Sequence, residues 1–164
     1  MLISLNWIRD FIDLPTDIDP RELAERFTIA TAEVEGVEHI TTTAKGLVAA
    51  EIVTVQPIAG TEKTFAVRVN LGNTRVDTVT IAEGLKPGDR VIYAPVGATL
   101  PGVGTVTERQ AAGHTSTGMI VPGDALGMPT VGQRAVWLPP STPAGAAIDM
   151  RLFEDWVIEV DNKS

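Results

Sequence analysis

From Leu47 to Ala147 the chain is a succession of short β-branched runs, each stopped by proline or glycine, with no long helical pattern between them. The runs read "LVAAEIVTVQP", "TFAVRVNLG", "TRVDTVTIA", "RVIYAPVGA", "VTERQAAG", "GMIVP" and, later, "AVWLP". Val, Ile and Thr carry two heavy atoms on Cβ, so they lose rotamer freedom in a helix and pack well on a pleated surface. Gly72-Asn73, between the second and third runs, is a tight hairpin signal. About five or six short strands within roughly 100 residues point to a small closed barrel of the OB type, with a two-sheet sandwich as the rival topology.

The flanks have a different texture. "LISLNWIRDFIDLP" predicts a short strand, Ser4 as N-cap, and a helix from Leu5 whose Leu5, Ile8 and Ile12 recur at helical spacing until Pro15 ends it. A second helix opens at "DPRELAERF": Asp19 caps it, Pro20 takes the first helical position where a missing N–H costs nothing, and Leu23 and Phe27 mark the buried face. "EVEGVEHI" alternates acid and valine, predicting a strand with one wet side, broken at Gly36. "LPPSTPAGAAI" is a proline-rich exit from the barrel, and "RLFEDWVIEVDNKS" predicts a short helix and a strand.

No cysteine occurs among the 164 residues, which removes disulfides, thiolate zinc sites and thiol nucleophiles together. The net charge of -8 argues at face value against a polyanionic partner, but its distribution alters that inference. Between Gly46 and Ala147 the bases Lys63, Arg68, Arg75, Lys86, Arg90, Arg109 and Arg134 are matched in number by Glu51, Glu62, Asp77, Glu83, Asp89, Glu108 and Asp124. The middle is neutral, and the acid excess belongs to the two ends. Arg9, Asp10 and Asp13 interrupt the apolar start, which therefore reads neither as a signal peptide nor as a membrane span of about 20 apolar residues. A cytoplasmic protein is expected.

Catalysis needs groups that converge, and the stock is small. His39 and His114 are too far apart for metal-ligand spacing. His114 stands near Ser116 in sequence, but a nucleophile and its base meet through folding, and nothing places an orienting carboxylate beside them. Glu33, Glu35 and Glu38 read as a solvated strand face before a cation site. "GATLPGVGTV" leads into β-branched residues and lacks Gly-Lys-Ser or Gly-Lys-Thr, so it reads as a turn, with Pro101 at the corner and Gly102 at positive φ. No catalytic residue, metal ligand or cofactor is expected in this chain. Nucleic-acid binding on a small barrel uses a basic groove with aromatic platforms. The candidates are Phe65, Tyr93 and Trp137 with Lys63, Arg68, Arg75, Arg90 and Arg109. Phe65 and Tyr93 lie in alternating strands and suit the core at least as well, so residue chemistry leaves RNA binding and a purely structural barrel both open.

The order of blocks carries more information. "MLISLNWIRDFIDLP" followed by "ELAERFTIATAEVEGVE" resembles the amino terminus of bacterial phenylalanine–tRNA ligase beta subunits. "GLVAAEIVTVQP", "GLKPGDRVIYAPVGATLPG" and "AAGHTSTGMIVPGDALGM" are similar to the tRNA-binding OB domain that comes next in that family, and "LPPSTPAGAAI" with "DWVIEV" to the return into the subunit's body. The resemblance implies an α+β, mainly β chain: an OB barrel over 47–147, inserted into a small α/β domain built from 1–46 and a truncated 148–164. It implies a non-catalytic tRNA-binding fragment whose partners are tRNA, the catalytic alpha subunit and the remainder of the beta subunit, with neither DNA nor membrane. ATP and magnesium would belong to the full enzyme.

Under the resemblance, Arg109 to Met128 is a closing strand and turn. Gly113 and Gly118 allow close backbone approach, Met119 to Val121 insert into the barrel, and His114, Ser116 and Thr117 lie at its mouth. Hydroxyls there could serve phosphate or ribose, or satisfy backbone groups at a bulge. The expected RNA contacts are Lys63, Arg68, Arg75, Arg109, His114, Ser116 and Thr117. Two departures from the family pattern stand out. "QPIAGTEKTFAV" replaces a His-Pro followed by Asn-Ala-Asp-Lys-Leu, and Ala112-Gly113 replaces an Arg-Gly. They support the alternative of an OB scaffold that has lost RNA binding.

Overall fold

The computed structural model describes residues 1–127 and 134–161, so Met128, the last residue of the hydroxyl-rich stretch, lies outside the described residues. In chain order the elements are β1 (Leu2–Ser4), α1 (Leu5–Arg9), α2 (Pro20–Ala30), β2 (Val34–Ile40), β3 (Val48–Pro57), β4 (Phe65–Asn70), β5 (Arg75–Thr80) and β6 (Arg90–Ala94). There follow β7 (Thr99–Leu100), β8 (Gly104–Thr105), β9 (Arg109–Ala111), β10 (His114–Ser116), β11 (Met119–Ile120), β12 (Trp137–Leu138) and β13 (Asp155–Val160). The protein is α+β and mainly β. It forms two compact units, one of Met1–Thr42 with Arg151–Ser164 and one of Thr43–Met150.

In the first unit β1, β13 and β2 form an antiparallel sheet in that order. Ser4 caps α1 by accepting the Trp7 N–H at 3.0 Å, and Asp19 caps α2 by accepting the Arg21 N–H at 2.9 Å. Leu5, Ala24, Ile158 and Val160 are its buried residues, flanked by Leu23, Phe27 and Trp156. Two expectations are corrected here. The first helix ends at Arg9, well before Pro15, and Leu5 is its one buried residue; Ile12 is 56% exposed, beside Phe11 at 71%. A helix this short presents a single turn to the sheet, so the apolar spacing does not continue beyond it as a buried face; Phe11 meets the Trp7 ring edge-on instead, with centroids 5.1 Å apart. Gly36 does not break β2, which runs through it; the register shifts between Glu159 and Val160 opposite, so a bulge absorbs the irregularity.

In the second unit β3 is the organising strand. Its first half, Val48–Glu51, pairs with β6, and Glu51–Pro57 pairs with β4, with a register shift between Ile52 and Thr54. A bulge bends a strand, and this bend lets one strand serve both halves of a curled sheet. The β4–β5 hairpin closes on Gly72-Asn73, with Leu71 N–H donating to the Thr74 carbonyl at 2.8 Å and Gly72 at φ +94°. Inward residues alternate as the pleat requires: Ala50 and Ile52, Val67 and Val69, Val91 and Tyr93, joined by Ile120. The segment predicted as a turn around Pro101-Gly102 is the connection of the small β7–β8 pair.

Among the described residues the sheet order β11-β6-β3-β4-β5, with β12 also paired to β6, leaves β5 and the β11/β12 side as edges, so the sheet is a curled half-barrel, OB-like, and not the sealed cylinder that the strand count suggests. The reason lies in the hydroxyl-rich stretch. Across the seam, Thr117 N–H donates to the Asp77 carbonyl at 2.9 Å. Val79 N–H donates to Ser116 Oγ at 3.0 Å, Thr78 Oγ1 donates to the Gly118 carbonyl at 3.0 Å, and the Thr78 and Ser116 hydroxyls lie 3.1 Å apart. Side-chain oxygens thus replace a backbone ladder at one end of the seam. Gly118 is needed there on two counts: its φ is +94°, and a Cβ would sit 2.5 Å from the Tyr93 hydroxyl. Gly113 has open space around it, so its φ of +79° and not close approach explains its presence.

Candidate functional site

The β9–β10 hairpin is a two-residue connection in which both corner residues have positive φ, Ala112 at +50° and Gly113 at +79°. It contributes to two grooves of the second unit. The first, of about 510 Å³, has Thr54, Gln56, Ala66, Arg68 and Asp77 from β3, β4 and β5, with Gly113, His114 and Thr115 from the hairpin. The second, of about 470 Å³, includes Val79, Ile81, Met119, Ile120 and Pro122, with Arg109 and Ala111 from the hairpin.

The first groove is polar because strand alternation puts it on the outer face. Val67 and Thr78 turn inward, so Arg68 and Asp77, paired directly across β4 and β5, turn out. Arg68 Nε and Nη2 donate to Asp77 Oδ1 and Oδ2 at 2.8 and 3.0 Å. These hydrogen bonds hold the Asp77 carboxyl below the usual carboxylate range and raise Arg68 further, with the positive charge of His114 assisting at Asp77 when protonated. His114 is exposed beside this pair.

The other expected contacts are dispersed. Lys63 pairs with Glu83 at 2.9 Å on an exposed surface, which raises Lys63 and lowers Glu83. Arg75 is exposed at the turn end of the β4–β5 hairpin, about 16 Å of strand away from the Lys63 end. Arg109 faces the second groove. Neither Arg75 nor Arg109 has an ion pair among the described residues. Ser116 is placed differently from the expectation: it is 5% exposed and its hydroxyl is taken up by Thr78, Val79 and Gly118, so it ties the seam instead of facing a ligand. Thr117 donates to Glu108 Oε2 at 3.1 Å while its carbonyl accepts the Tyr93 hydroxyl.

Of the aromatic candidates, Tyr93 is fully buried, Phe65 packs against the core, and Trp137 is 41% exposed with its indole N–H donating to Asp89 at 3.1 Å. Arg90 is consumed internally by the Thr142 and Gly88 carbonyls and by Glu51. Asp77 and Thr78, which decide what Arg68 and Ser116 do, were not singled out from sequence. The signal was there: counting outward from the Gly72-Asn73 turn pairs Asn70 with Arg75 and Arg68 with Asp77.

Among the described residues no three His, Asp or Glu side chains gather to hold a metal, Glu33, Glu35 and Glu38 included. The Ser116 hydroxyl has no histidine among its hydrogen-bond partners. What this outer face offers is hydrogen bonding and a partly neutralised positive charge.

No family model matches the chain. Over 98% of its length it is 36% identical to the phenylalanine–tRNA ligase beta subunit of Anaeromyxobacter dehalogenans. Over the same share it is 30% identical to that of Geobacter metallireducens and 31% identical to that of Streptomyces avermitilis. The chain spans about a fifth of the length of these curated relatives, 20% in each case.

Proposed function

The chain belongs to the phenylalanine–tRNA ligase beta subunit family, and from that premise we propose that it is a non-catalytic part that holds tRNA by its backbone and shape. The observation that carries this reading is the outer groove of β3, β4 and β5, where Thr54, Gln56, Arg68, His114 and Thr115 converge with no nucleophile–base pair among them. Arg75 and Lys63, at opposite ends of the β4–β5 hairpin, extend the contact to neighbouring phosphates, and Thr117 lies at the foot of the hairpin. The alpha subunit, with ATP and magnesium, and the remainder of the beta subunit would perform the chemistry in a cytoplasmic enzyme. No helix among the described residues is long and apolar enough to cross a membrane.

Because Arg68 and Lys63 already have acid partners, few counterions are freed on binding. Anisotropy titration of labelled tRNA against the chain should therefore show weak binding with a shallow salt dependence between about 50 and 200 mM. Replacing Arg68 and Arg75 together with alanine should weaken it severalfold. The same internal pairs favour a second reading, an OB-like scaffold without RNA affinity. The absence of binding at tens of micromolar protein would establish that reading and refute the first.

A further inference from the structure

The three-stranded sheet of the first unit leaves β2 open on one side. β13 lies between β1 and β2, and alternate residues of an antiparallel strand bond to opposite neighbours. The Met1 ammonium donates to the Val160 carbonyl at 2.7 Å and the Val160 N–H to the Met1 carbonyl at 2.8 Å, so Val160 and, in step with it, Ile158 turn their main chain to β1. Val157 and Glu159 turn theirs to β2, where they face Glu38 and Gly36. On β2 it is therefore Val37 and His39 whose N–H and carbonyl groups point away from the sheet. Among the described residues no strand pairs with that side and no hydrogen bond takes up these groups. Only the start of β2 is covered, where the Val34 N–H donates to Thr28 Oγ1 at 3.1 Å. From Gly36 to Ile40 the strand keeps one register and has neither the proline nor the lysine that commonly blunts an edge.

The side chains along this edge decide what can pair with it. Val37 and His39 lie on the core face, Val37 packed against the core and the His39 ring stacked on Trp156 with centroids 4.3 Å apart. Glu38 and Ile40 alternate onto the other face, where both are exposed. Glu35, at the bulge, adds a second exposed carboxylate. Neither Glu35 nor Glu38 has an ion pair among the described residues. The surroundings carry the same sign: Thr43–Met150 has as many bases as acids, so the net charge of -8 falls on the first unit.

We propose that the β2 edge is a strand-addition site for an extended segment of a basic partner polypeptide, one in which lysine or arginine alternates with apolar residues. An open strand edge recognises peptide main chain, which nucleic acid lacks, and a phosphate backbone would be repelled by the acidic unit. A second copy of this chain would bring Glu35 and Glu38 against their own kind. Laid antiparallel, the added strand exchanges main-chain bonds with Val37 and His39. It sets a basic residue opposite Glu38, where the side chains of a non-hydrogen-bonded pair lie closest, and an apolar one opposite Ile40. Its residues opposite Val37 and His39 are apolar and extend the core beyond the His39–Trp156 stack. From Gly36 to Ile40 the edge spans about 14 Å, room for roughly five residues. The outer groove assigned above to tRNA belongs to the other unit.

The test uses the whole chain, isotope-labelled for NMR, at about 150 mM salt, where long-range attraction to the acidic unit is screened. The probes are acetyl-Ile-Val-Lys-Val-Lys-amide, its counterpart with glutamate for lysine, and two N-methylated forms of the lysine peptide. The amide signals of Val37 and His39 should move with the lysine peptide and their hydrogen exchange should slow. The glutamate peptide should bind about tenfold more weakly or worse, since like charges replace opposite ones across the new pair. N-methylation of both valines, whose N–H groups face β2, should abolish binding, whereas N-methylation of the first lysine, whose N–H faces solvent, should leave it. Glu38→Lys, a change at an exposed position, should reverse the preference between the lysine and glutamate peptides. Val37 and His39 amides unmoved at millimolar lysine peptide, equal binding of the glutamate peptide, or equal binding of the peptide methylated at its valines would each overturn the proposal. So would movement of the same amides with protein concentration alone, which would give the edge to a second copy, or with oligouridylate, which would give it to RNA.

Discussion

Tyr93 shows how much one buried hydroxyl can decide. Burial pushes its pKa up to about 12, against an ordinary value near 10, because the phenolate would lose its hydration inside the half-barrel. A folded pKa above the unfolded one gives stability that is complete below about pH 10 and lost as pH rises from there to about 12. Denaturant midpoints measured against pH should fall in that window, and Tyr93→Phe should flatten the fall while costing about 1 kcal/mol at neutral pH for the lost bond to the Thr117 carbonyl. Gly118→Ala should be worse, by about 2 kcal/mol or more, since it combines positive φ with a clash against Tyr93 and the Ala94 carbonyl. Ala112→Asn points the other way: Asn tolerates the left-handed conformation that Ala112 holds at φ +50°, so the variant should gain about 0.5–1 kcal/mol in chemical unfolding.

At the scale of elements, the tie between β5 and the turn before β11 depends on hydroxyls where a ladder would use main chain. Ser116→Ala leaves the Val79 N–H without its acceptor and Thr78 with one partner fewer, a cost of about 1–3 kcal/mol. Hydrogen exchange at Val79 should quicken in that variant more than at Val67 or Val69, which lie mid-sheet. The strands themselves were legible because β-branched residues alternate in and out and the Gly72-Asn73 turn fixes the register of β4 against β5. α2 was legible too, through Asp19 and Pro20 at its start. The short α1 was not, since apolar spacing says nothing about whether the helix stops after one turn and leaves Phe11 and Ile12 exposed. Nor was the open seam, whose existence depends on where Thr78 meets Ser116, residues far apart in sequence. At the site, the outer positions of Arg68 and His114 could be anticipated from alternation, whereas the burial of Ser116 could not.

The whole molecule has two cores of unequal size. The first unit buries Leu5, Ala24, Ile158 and Val160, while the second buries a much larger set around Ile52, Val69 and Tyr93. Small cores are marginal, so the first unit should melt at lower temperature. Trp7 and Trp156 belong to it and Trp137 to the other, so a fluorescence transition should precede the loss of β-sheet circular dichroism. Coincident transitions would show that the two units unfold as one. The chain enters and leaves the second unit side by side: Ala49 N–H donates to the Ala146 carbonyl at 2.8 Å and Ile148 N–H to the Leu47 carbonyl at 3.0 Å. With its doorway stitched shut in this manner, the half-barrel is a cassette. Excised and joined head to tail by a short linker, it should fold as a circle, and new termini cut into an exposed loop elsewhere should be tolerated.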